Sequence, residues 1–292
     1  MIFVIMGPTA SGKSNAAHAL AKSLKCPIIN ADAFQIYKDM NIGTNKVSKD
    51  DEFYHYYHLL DIVSPEETYS IKQYQDSFRE VLSALLKTNK DIVICGGSGL
   101  YIRAATYDYE FLDENDIDEQ YEELSNEELH DLLVSLDPLE GEKIHQNNRK
   151  RMIRAINLMK KSGSSKTALL DKQEHKPIFS KDEIVYLFIN PDREALYEGI
   201  NNRVEQMFDM GLVDEVKYLL NKYNLSETSR QGIGYKEVIS YLSNEITFEE
   251  CKELIKQRTR NYAKRQVTFF KHQFDYVEYK SYVDLLSNYN IK

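Results

Sequence analysis

The sequence has few cysteines, no tryptophan and no long apolar run. Its three cysteines, Cys26, Cys95 and Cys251, are far apart and odd in number, which argues against a disulfide framework and a cysteine-based zinc site. No apolar run approaches the ~18 residues of a membrane span, so no membrane-spanning segment is expected. The first apolar run is short and enters a glycine-rich loop, so no signal peptide is expected. We therefore expect a protein of the reducing cytoplasm.

The chain is long enough for one large domain, or for a core with an insertion. It has 292 residues, of which 42% are hydrophobic, so a sizeable core can form. The net charge of −9 taken alone speaks against nucleic-acid binding, but the charges are unevenly distributed along the chain.

A phosphate-binding motif stands near the start of the chain. Residues 7–14 read Gly-x-x-x-x-Gly-Lys-Ser, after the apolar run 2–6 and before a stretch of helix formers. Backbone N–H groups and a helix N-terminus would cradle phosphate oxygens, while Lys13 supplies a charge and Ser14 offers a hydroxyl to Mg²⁺. The motif does not distinguish ATP from another diphosphate. The phosphate-binding residues that it predicts are Gly7, Thr9, Ala10, Ser11, Gly12, Lys13 and Ser14.

Asp32 follows the second predicted strand, residues 27–30. Ligands gather at the carboxyl ends of parallel strands, so this carboxylate is a candidate Mg²⁺ ligand or general base. A helix cap or turn aspartate is an equal alternative. The polar segment 39–56 is expected at the surface, and the spacing of His55, His58 and Asp61 is not diagnostic of a metal site.

The remaining pattern predicts a parallel α/β sheet. An amphipathic helix over 70–87 precedes a buried strand over 91–95, which ends in the glycine turn 96–101. A strand over 184–189 and helices opening near Arg193 and at the Thr247 capping box return to this pattern. Between them the alternation breaks, and helices over 127–136 and 149–161 indicate a helical insertion.

Basic residues concentrate in two stretches of this acidic chain. Residues 108–142 contain 15 acids and no Lys or Arg, whereas residues 143–176 contain 10 basic residues and two acids. In residues 252–271 the only acid is Glu253. These stretches are either a localised nucleic-acid footprint or solvated helix faces, and charge alone favours the second interpretation.

Several motifs together resemble the tRNA dimethylallyltransferase (tRNA isopentenyltransferase) family. They cover nearly the whole chain in the family's order, and the glycine turn and the last motif are the most specific. The matching stretches are 7–14, 32–37 with Gly43-Thr44, Gly96-Gly97-Ser98-Gly99-Leu100-Tyr101, Arg151-x-x-Arg154-Ala155, Asp192-Arg193, Arg203-Val204, Gly211-Leu212, 233–237 and Thr259-Arg260-x-Tyr262-Ala263-Lys264-Arg265-Gln266.

This resemblance implies transfer of a dimethylallyl group from dimethylallyl diphosphate to N6 of the adenine 3′ of the anticodon. Lys13, the loop and Mg²⁺ would stabilise the departing diphosphate, and Asp32 would accept the N6 proton. Ser98, where the family usually has Thr, would orient the leaving oxygen. Arg230 is a candidate second diphosphate cation, and Gln35 would hold or read the flipped base.

The resemblance also implies a fold and a tRNA surface. The fold is an α/β, P-loop NTPase-like parallel sheet flanked by helices, formed by 1–109 and 167–292, with an all-helical, tRNA-contacting insertion over 110–166. The partners are the tRNA anticodon arm and dimethylallyl diphosphate, without a membrane, and we expect a monomer. The expected tRNA contacts, besides Asp32 and Gln35, are Arg149, Arg151, Arg154, Arg260, Lys264 and Arg265.

Two other functions compete with this one. An ATP-dependent small-molecule or nucleoside kinase would share the loop, the fold and an inserted lid. A non-catalytic, nucleotide-gated RNA-binding protein would share the loop and the basic stretches. Label transfer from dimethylallyl diphosphate to tRNA without ATP would separate the three.

Overall fold

The computed structural model describes residues 1–109, 111, 121, 123–162 and 176–291. Its central feature is a six-stranded sheet in which every pairing is parallel, with the order β3-β2-β4-β1-β5-β6. The predicted α/β parallel-sheet class is therefore confirmed. The strands are β1 (Ile2–Met6), β2 (Ile28–Asn30), β3 (Tyr57–His58), β4 (Ile92–Gly96), β5 (Ile184–Ile189) and β6 (Val277–Tyr279).

Helices follow most of the strands. A 3-10 turn, Tyr54–Tyr56, precedes β3. The α-helices of the described residues are α1 (Lys13–Leu24), α2 (Ile71–Leu85), α3 (Gly99–Thr106), α4 (Asn126–Leu136), α5 (Pro138–Lys143), α6 (Arg149–Ser162), α7 (Arg193–Asp209), α8 (Leu212–Lys222), α9 (Glu227–Arg230), α10 (Tyr235–Leu242), α11 (Phe248–Gln273) and α12 (Tyr282–Asn288).

The centre of the sheet is β1, whose five residues are all buried. A strand covered on both faces needs such a continuous apolar run, because helices pack against each side. Its neighbours β4 and β5 pair with it in register, with Ile2 opposite both Ile92 and Ile184. Ala16 and Ala17 of α1 are fully buried, and their small side chains let α1 lie close to the sheet. This packing fixes the loop between β1 and α1.

The chain divides into two compact units, 1–106 with 179–292, and 107–178. The second unit has its own apolar core, in which Leu129, Leu133, Met152 and Ile156 are fully buried between helices α4 and α6. The expected insertion boundaries at 110 and 166 lie outside the described residues.

Some local expectations need correction. Segment 39–56 is not simply a surface segment, because Met40 and Lys46 are buried, and Lys46 forms an ion pair with Asp61 at 2.6 Å. The polar composition of this segment does not reveal the pair, because Asp61 lies 15 residues after Lys46 in the chain. Strands β3 and β6 and helices α3, α5, α9 and α12 were not predicted, because they are too short to produce a periodic pattern. Among the described residues, no helix combines the length and apolarity needed to cross a membrane.

Candidate active site

The loops after β1, β2 and β4 meet at the carboxyl edge of the sheet. The N–H of Ala31 donates to Cys95 O at 2.8 Å, and the N–H of Ser98 donates to Ala31 O at 3.2 Å. A Cβ on Gly96 would lie 2.0 Å from Ala31 O, so this approach of two backbones requires glycine. The same edge is where open parallel sheets bind their ligands.

The phosphate loop has the backbone shape that its motif predicts. Ala10 and Gly12 have φ values of 61° and 85°, and the Ser11 N–H donates to Pro8 O at 3.3 Å. The hydroxyl of Ser11 is buried without a hydrogen-bond partner in the described part of the chain. A Cβ on Gly12 would come within 2.8 Å of the Tyr282 ring of α12, which backs the loop. The unsatisfied hydroxyl and the free N–H groups of the first turn of α1 fit an anion.

Lys13 begins α1 and turns back over the loop. Its Nζ donates to Pro8 O at 3.3 Å. Burial lowers the pKa of Lys13, while the neighbouring Cys95 and Asp32 oppose that shift and Arg203 adds to it. Cys95 contacts the same residue through a weak Sγ to Lys13 O contact of 3.8 Å. Lys13 thus lies among Asp32, Cys95 and Arg203 at the end of the sheet.

Asp32 lies on the same side of the sheet as the phosphate loop. One carboxylate oxygen accepts the Phe34 N–H at 3.0 Å, and the other has no hydrogen-bond partner among the described residues. Ser98 lies beside it, since the Ser98 hydroxyl accepts the Ala33 N–H at 2.9 Å. The Ser98 hydroxyl also hydrogen-bonds the Tyr262 hydroxyl. The structure brings Lys13, Asp32 and Ser98 together.

Arg203 of α7 is a site residue that our sequence analysis did not assign. Burial lowers its pKa to about 10, and the charges of Asp32 and Tyr235 oppose that shift. No hydrogen bond or ion pair of its guanidinium is found within the described residues. The guanidinium is half-buried and lines a cavity, and a partly desolvated cation without a partner favours an anionic ligand. Arg230, by contrast, is exposed at the end of α9 and its Nε donates to Leu225 O at 3.1 Å.

The long helix α11 contributes two polar side chains to the same place. Burial raises the pKa of the Tyr262 hydroxyl to about 12, and this hydroxyl lies beside Asp32, Ser98 and Gln266. Gln266 is only 5% exposed and hydrogen-bonds both the phosphate loop and the glycine turn after β4.

Gln35 holds the loop that follows it in the chain. Its amide nitrogen donates to Thr44 O at 3.0 Å and to Asn45 O at 3.2 Å. The carboxylate of Glu215 holds the same loop from α8, because it accepts the N–H groups of residues 41, 42 and 43 at 2.7–3.2 Å. Tyr235 donates to Glu215 at 2.7 Å. Loop 41–49 and α7 enclose a cavity of about 320 Å³ that Arg203 lines.

The basic residues of the second unit differ in their surroundings. The Arg149 guanidinium donates to Leu124 O at 2.6 Å and also to Tyr121 O, so its hydrogens hold the chain before α4. Arg151 and Arg154 are exposed on α6.

Three of the expected tRNA-contacting residues lie on α11, the helix that also carries Tyr262 and Gln266. Lys264 and Arg265 are exposed, whereas Arg260 donates to Asn201 at 2.6 Å. Lys264 lies over the ring of Tyr197, which packs against the same buried cluster as Ala10 of the phosphate loop. Exposed cations therefore occur close to the loop.

A parallel sheet that presents a phosphate loop, a carboxylate and two cations at one edge defines a protein that acts on a phosphorylated substrate. The sequence profile of the IPP transferase family matches residues 35–273. The chain belongs to this family, which confirms both the resemblance and the prediction of a transferase.

Individual relatives agree with this assignment. A tRNA dimethylallyltransferase of Anoxybacillus flavithermus is 39% identical, over 93% of this chain and 88% of the relative. One from Finegoldia magna is 38% identical, over 97% and 93%.

A solved structure agrees with the family assignment, and a second one shares the fold. The tRNA delta(2)-isopentenylpyrophosphate transferase of Staphylococcus epidermidis is 33% identical, with a TM-score of 0.72 and coverage of 99% of this chain and 97% of that one. A eukaryotic dimethylallyltransferase, described as acting on tRNA, shares the fold, with a TM-score of 0.81 at 24% identity over 98% of this chain and 75% of that one.

Proposed function

We propose that the protein transfers a dimethylallyl group from dimethylallyl diphosphate to N6 of the adenine next to the anticodon on its 3′ side. One observation carries this proposal. The phosphate loop, Lys13 and Arg203 lie next to Asp32, whose carboxylate has one oxygen without a hydrogen-bond partner among the described residues. The membership of the family, whose relatives are named tRNA dimethylallyltransferases, supports the same reaction.

The diphosphate leaving group would lie in the phosphate loop. As the C–O bond of the allylic substrate breaks, negative charge develops on the diphosphate, and Lys13 and Arg203 would stabilise it. The Ser98 hydroxyl would donate to the leaving oxygen. The departing group takes the bonding electron pair, which leaves the allylic carbon open to attack.

Magnesium fits the donors that are present. Mg²⁺ is usually held by one or two protein oxygens together with water and substrate phosphates. The described residues contain no cluster of three His, Cys, Asp or Glu side chains that could hold a metal by itself. The Ser14 hydroxyl, in the first turn of α1, would hold the ion beside the phosphates. There the ion would neutralise part of the diphosphate charge.

The acceptor amine would lie against Asp32. The amine nitrogen forms the new C–N bond and passes a proton to the free oxygen of the Asp32 carboxylate. The adenine must leave its stack to reach this position. The cavity beside Arg203, bordered by the loop that Gln35 holds, offers space for an extruded nucleotide.

The exposed cations would bind the anticodon arm. Arg151 and Arg154 in the insertion and Lys264 and Arg265 on α11 are the candidates for contacts with RNA phosphates. Arg149 and Arg260 would contribute chiefly by holding neighbouring chain segments, since their guanidinium groups already donate to protein oxygens.

The decisive experiment measures label transfer. Purified protein, radiolabelled dimethylallyl diphosphate and unmodified tRNA with adenine at the target position should give labelled RNA without ATP. Asp32→Asn should keep the shape of the site and lose at least 100-fold in turnover, a typical contribution of a general base. The matched control is Asp214→Asn, at an exposed aspartate of α8. Near-normal turnover of the Asp32 variant would refute the general-base role, and phosphate transfer from ATP to a small hydroxylated acceptor would favour the kinase.

A further inference from the structure

Gln266 joins the two loops that form the diphosphate site. Its Oε1 accepts the Thr9 N–H at 3.0 Å, and its Nε2 donates to Gly97 O at 2.8 Å. The two loops follow different strands, β1 and β4, and are connected here by one side chain from α11. Both polar ends of the buried amide are satisfied, which fixes its orientation.

The bond to Thr9 has a direct consequence for Lys13. The Thr9 N–H belongs to the same planar peptide group as the Pro8 carbonyl. That carbonyl accepts the hydrogen bond from Lys13 Nζ at 3.3 Å. Gln266 holds one end of this peptide plane and the Ser11 N–H holds the Pro8 carbonyl at the other, so together they set the resting position of the ammonium group.

The bond to Gly97 lies next to the same ammonium group. A Cβ on Gly97 would lie 2.6 Å from Gln266 Nε2 and 3.6 Å from Lys13 Nζ. The amide and the ammonium group therefore share the space above Gly97. Removal of the amide would leave the peptide plane held only at its Pro8 carbonyl and would open this space, so the position of Lys13 would be less fixed.

We propose that Gln266 is a positioning residue that acts through Lys13, by holding the Pro8–Thr9 peptide and the Gly97 carbonyl around its ammonium group. This inference rests on the proposed diphosphate site but not on the acceptor being tRNA. Preorganised cations are more effective than mobile ones because they need no reorganisation as charge develops. A displacement of about 1 Å can lower a rate by about 100-fold.

The first test is a double-mutant cycle with inorganic pyrophosphate as the ligand, measured by calorimetry. Gln266→Met keeps the size of the side chain and removes both hydrogen bonds. We expect it to weaken pyrophosphate binding about tenfold, the usual effect of losing one charge-assisted hydrogen bond. In a Lys13→Met background the same change should have no further effect, because the group through which it acts is absent. Independent, additive losses would overturn the proposal.

The second test uses protonation as a switch. Gln266→Glu introduces a carboxyl that, when neutral, can accept from Thr9 and donate to Gly97 as the amide does. When ionised it cannot donate. Pyrophosphate affinity relative to the wild type should therefore recover as the pH falls through the pKa of that carboxyl. A ratio that is flat with pH would contradict the inference.

The control separates positioning from general stability. Gln75 of α2 is also buried, and its Nε2 donates to Ala104 O at 2.9 Å. Gln75→Glu should lower the melting temperature and leave pyrophosphate binding by the folded protein unchanged at every pH. If it reproduced the pH-dependent affinity of the Gln266 variant, the effect would be structural and the proposal would fail. Label transfer to tRNA by the wild type is scored separately and tests only the proposed function.

Discussion

Replacement of Arg203 should weaken diphosphate binding without weakening the fold. The Arg203 guanidinium is half-buried beside Lys13 and Asp32 and has no hydrogen-bond or ion-pair partner among the described residues, so its charge is destabilising until an anion binds. Arg203→Met keeps the apolar stem and removes the charge. We expect the free energy of unfolding of the unliganded protein to stay the same or rise, which is the reverse of the usual effect of a core substitution.

The magnitude follows from the strength of hydrogen bonds to charged groups. Loss of the hydrogen bonds from the Arg203 guanidinium to pyrophosphate should reduce the binding free energy by about 2.7 kcal/mol, which weakens binding by about 100-fold. At a pyrophosphate concentration of 100 times the wild-type Kd, the ligand stabilises the wild type by about 2.7 kcal/mol, and the variant by about 0.4 kcal/mol. With about 2.1 cal/mol/K of unfolding entropy per residue, the melting temperature should rise by about 4 °C in the wild type and by under 1 °C in the variant.

Thermal unfolding with and without pyrophosphate is the assay. Arg230→Met is the matched comparison, because Arg230 is the cation that the sequence suggested for the same role, yet it is exposed and donates to Leu225 O. Arg203→Lys should restore only part of the shift, since an ammonium group cannot bind bidentately. A full shift in Arg203→Met, with a lost shift in Arg230→Met, would refute the reasoning.

Three further changes test other parts of the structure. Glu215→Ala should lower the free energy of unfolding, measured in urea, by about 3 kcal/mol, because it leaves three backbone N–H groups of loop 41–43 without an acceptor. Glu215→Gln should lower it less. An unchanged free energy of unfolding in Glu215→Ala would contradict this role. A hydrogen bond from Lys222 at 2.8 Å lowers the pKa of Asp39 below its usual value of 3.8, so Asp39→Asn should lower the unfolding free energy at pH 7 by under about 1 kcal/mol. That difference should disappear as the pH falls through the lowered pKa of Asp39, where the native carboxylate is protonated too. Replacing Arg151 and Arg154 by Gln should reduce the salt dependence of tRNA binding by about one to two units of slope, and an unchanged slope would show that these residues face away from the RNA.

The sequence was most informative where one residue type is required by the backbone. The phosphate loop and the turn at Gly96 could be predicted because in each case glycines directly follow a short apolar strand in the sequence. The carboxyl-edge position of Asp32 followed from the strand before it. These features depend on short stretches of chain, and the structure agrees with the sequence there.

Arg203 and Gln266 were harder to recognise, because each acts at a distance in sequence. A signal was nevertheless present. Arg203 lies on the face of α7 that also carries the buried Ile200 and Val204. Gln266 lies between the buried Ala263 and Phe270 on one face of α11. A polar residue on the apolar face of an amphipathic helix indicates a buried polar contact, although periodicity cannot name the partner.

The support of the phosphate loop by distant residues has a consequence for folding. Gly12 packs against Tyr282, and Thr9 is hydrogen-bonded to Gln266, so each contact closes a loop of more than 250 residues. Contacts of such long sequence separation form late, since the chain must first lose the entropy of closing that loop. During synthesis on the ribosome, the first-made motif therefore acquires its working shape only after α11 and α12 have emerged and docked. Substrate affinity, rather than helix content, would report the last step of maturation.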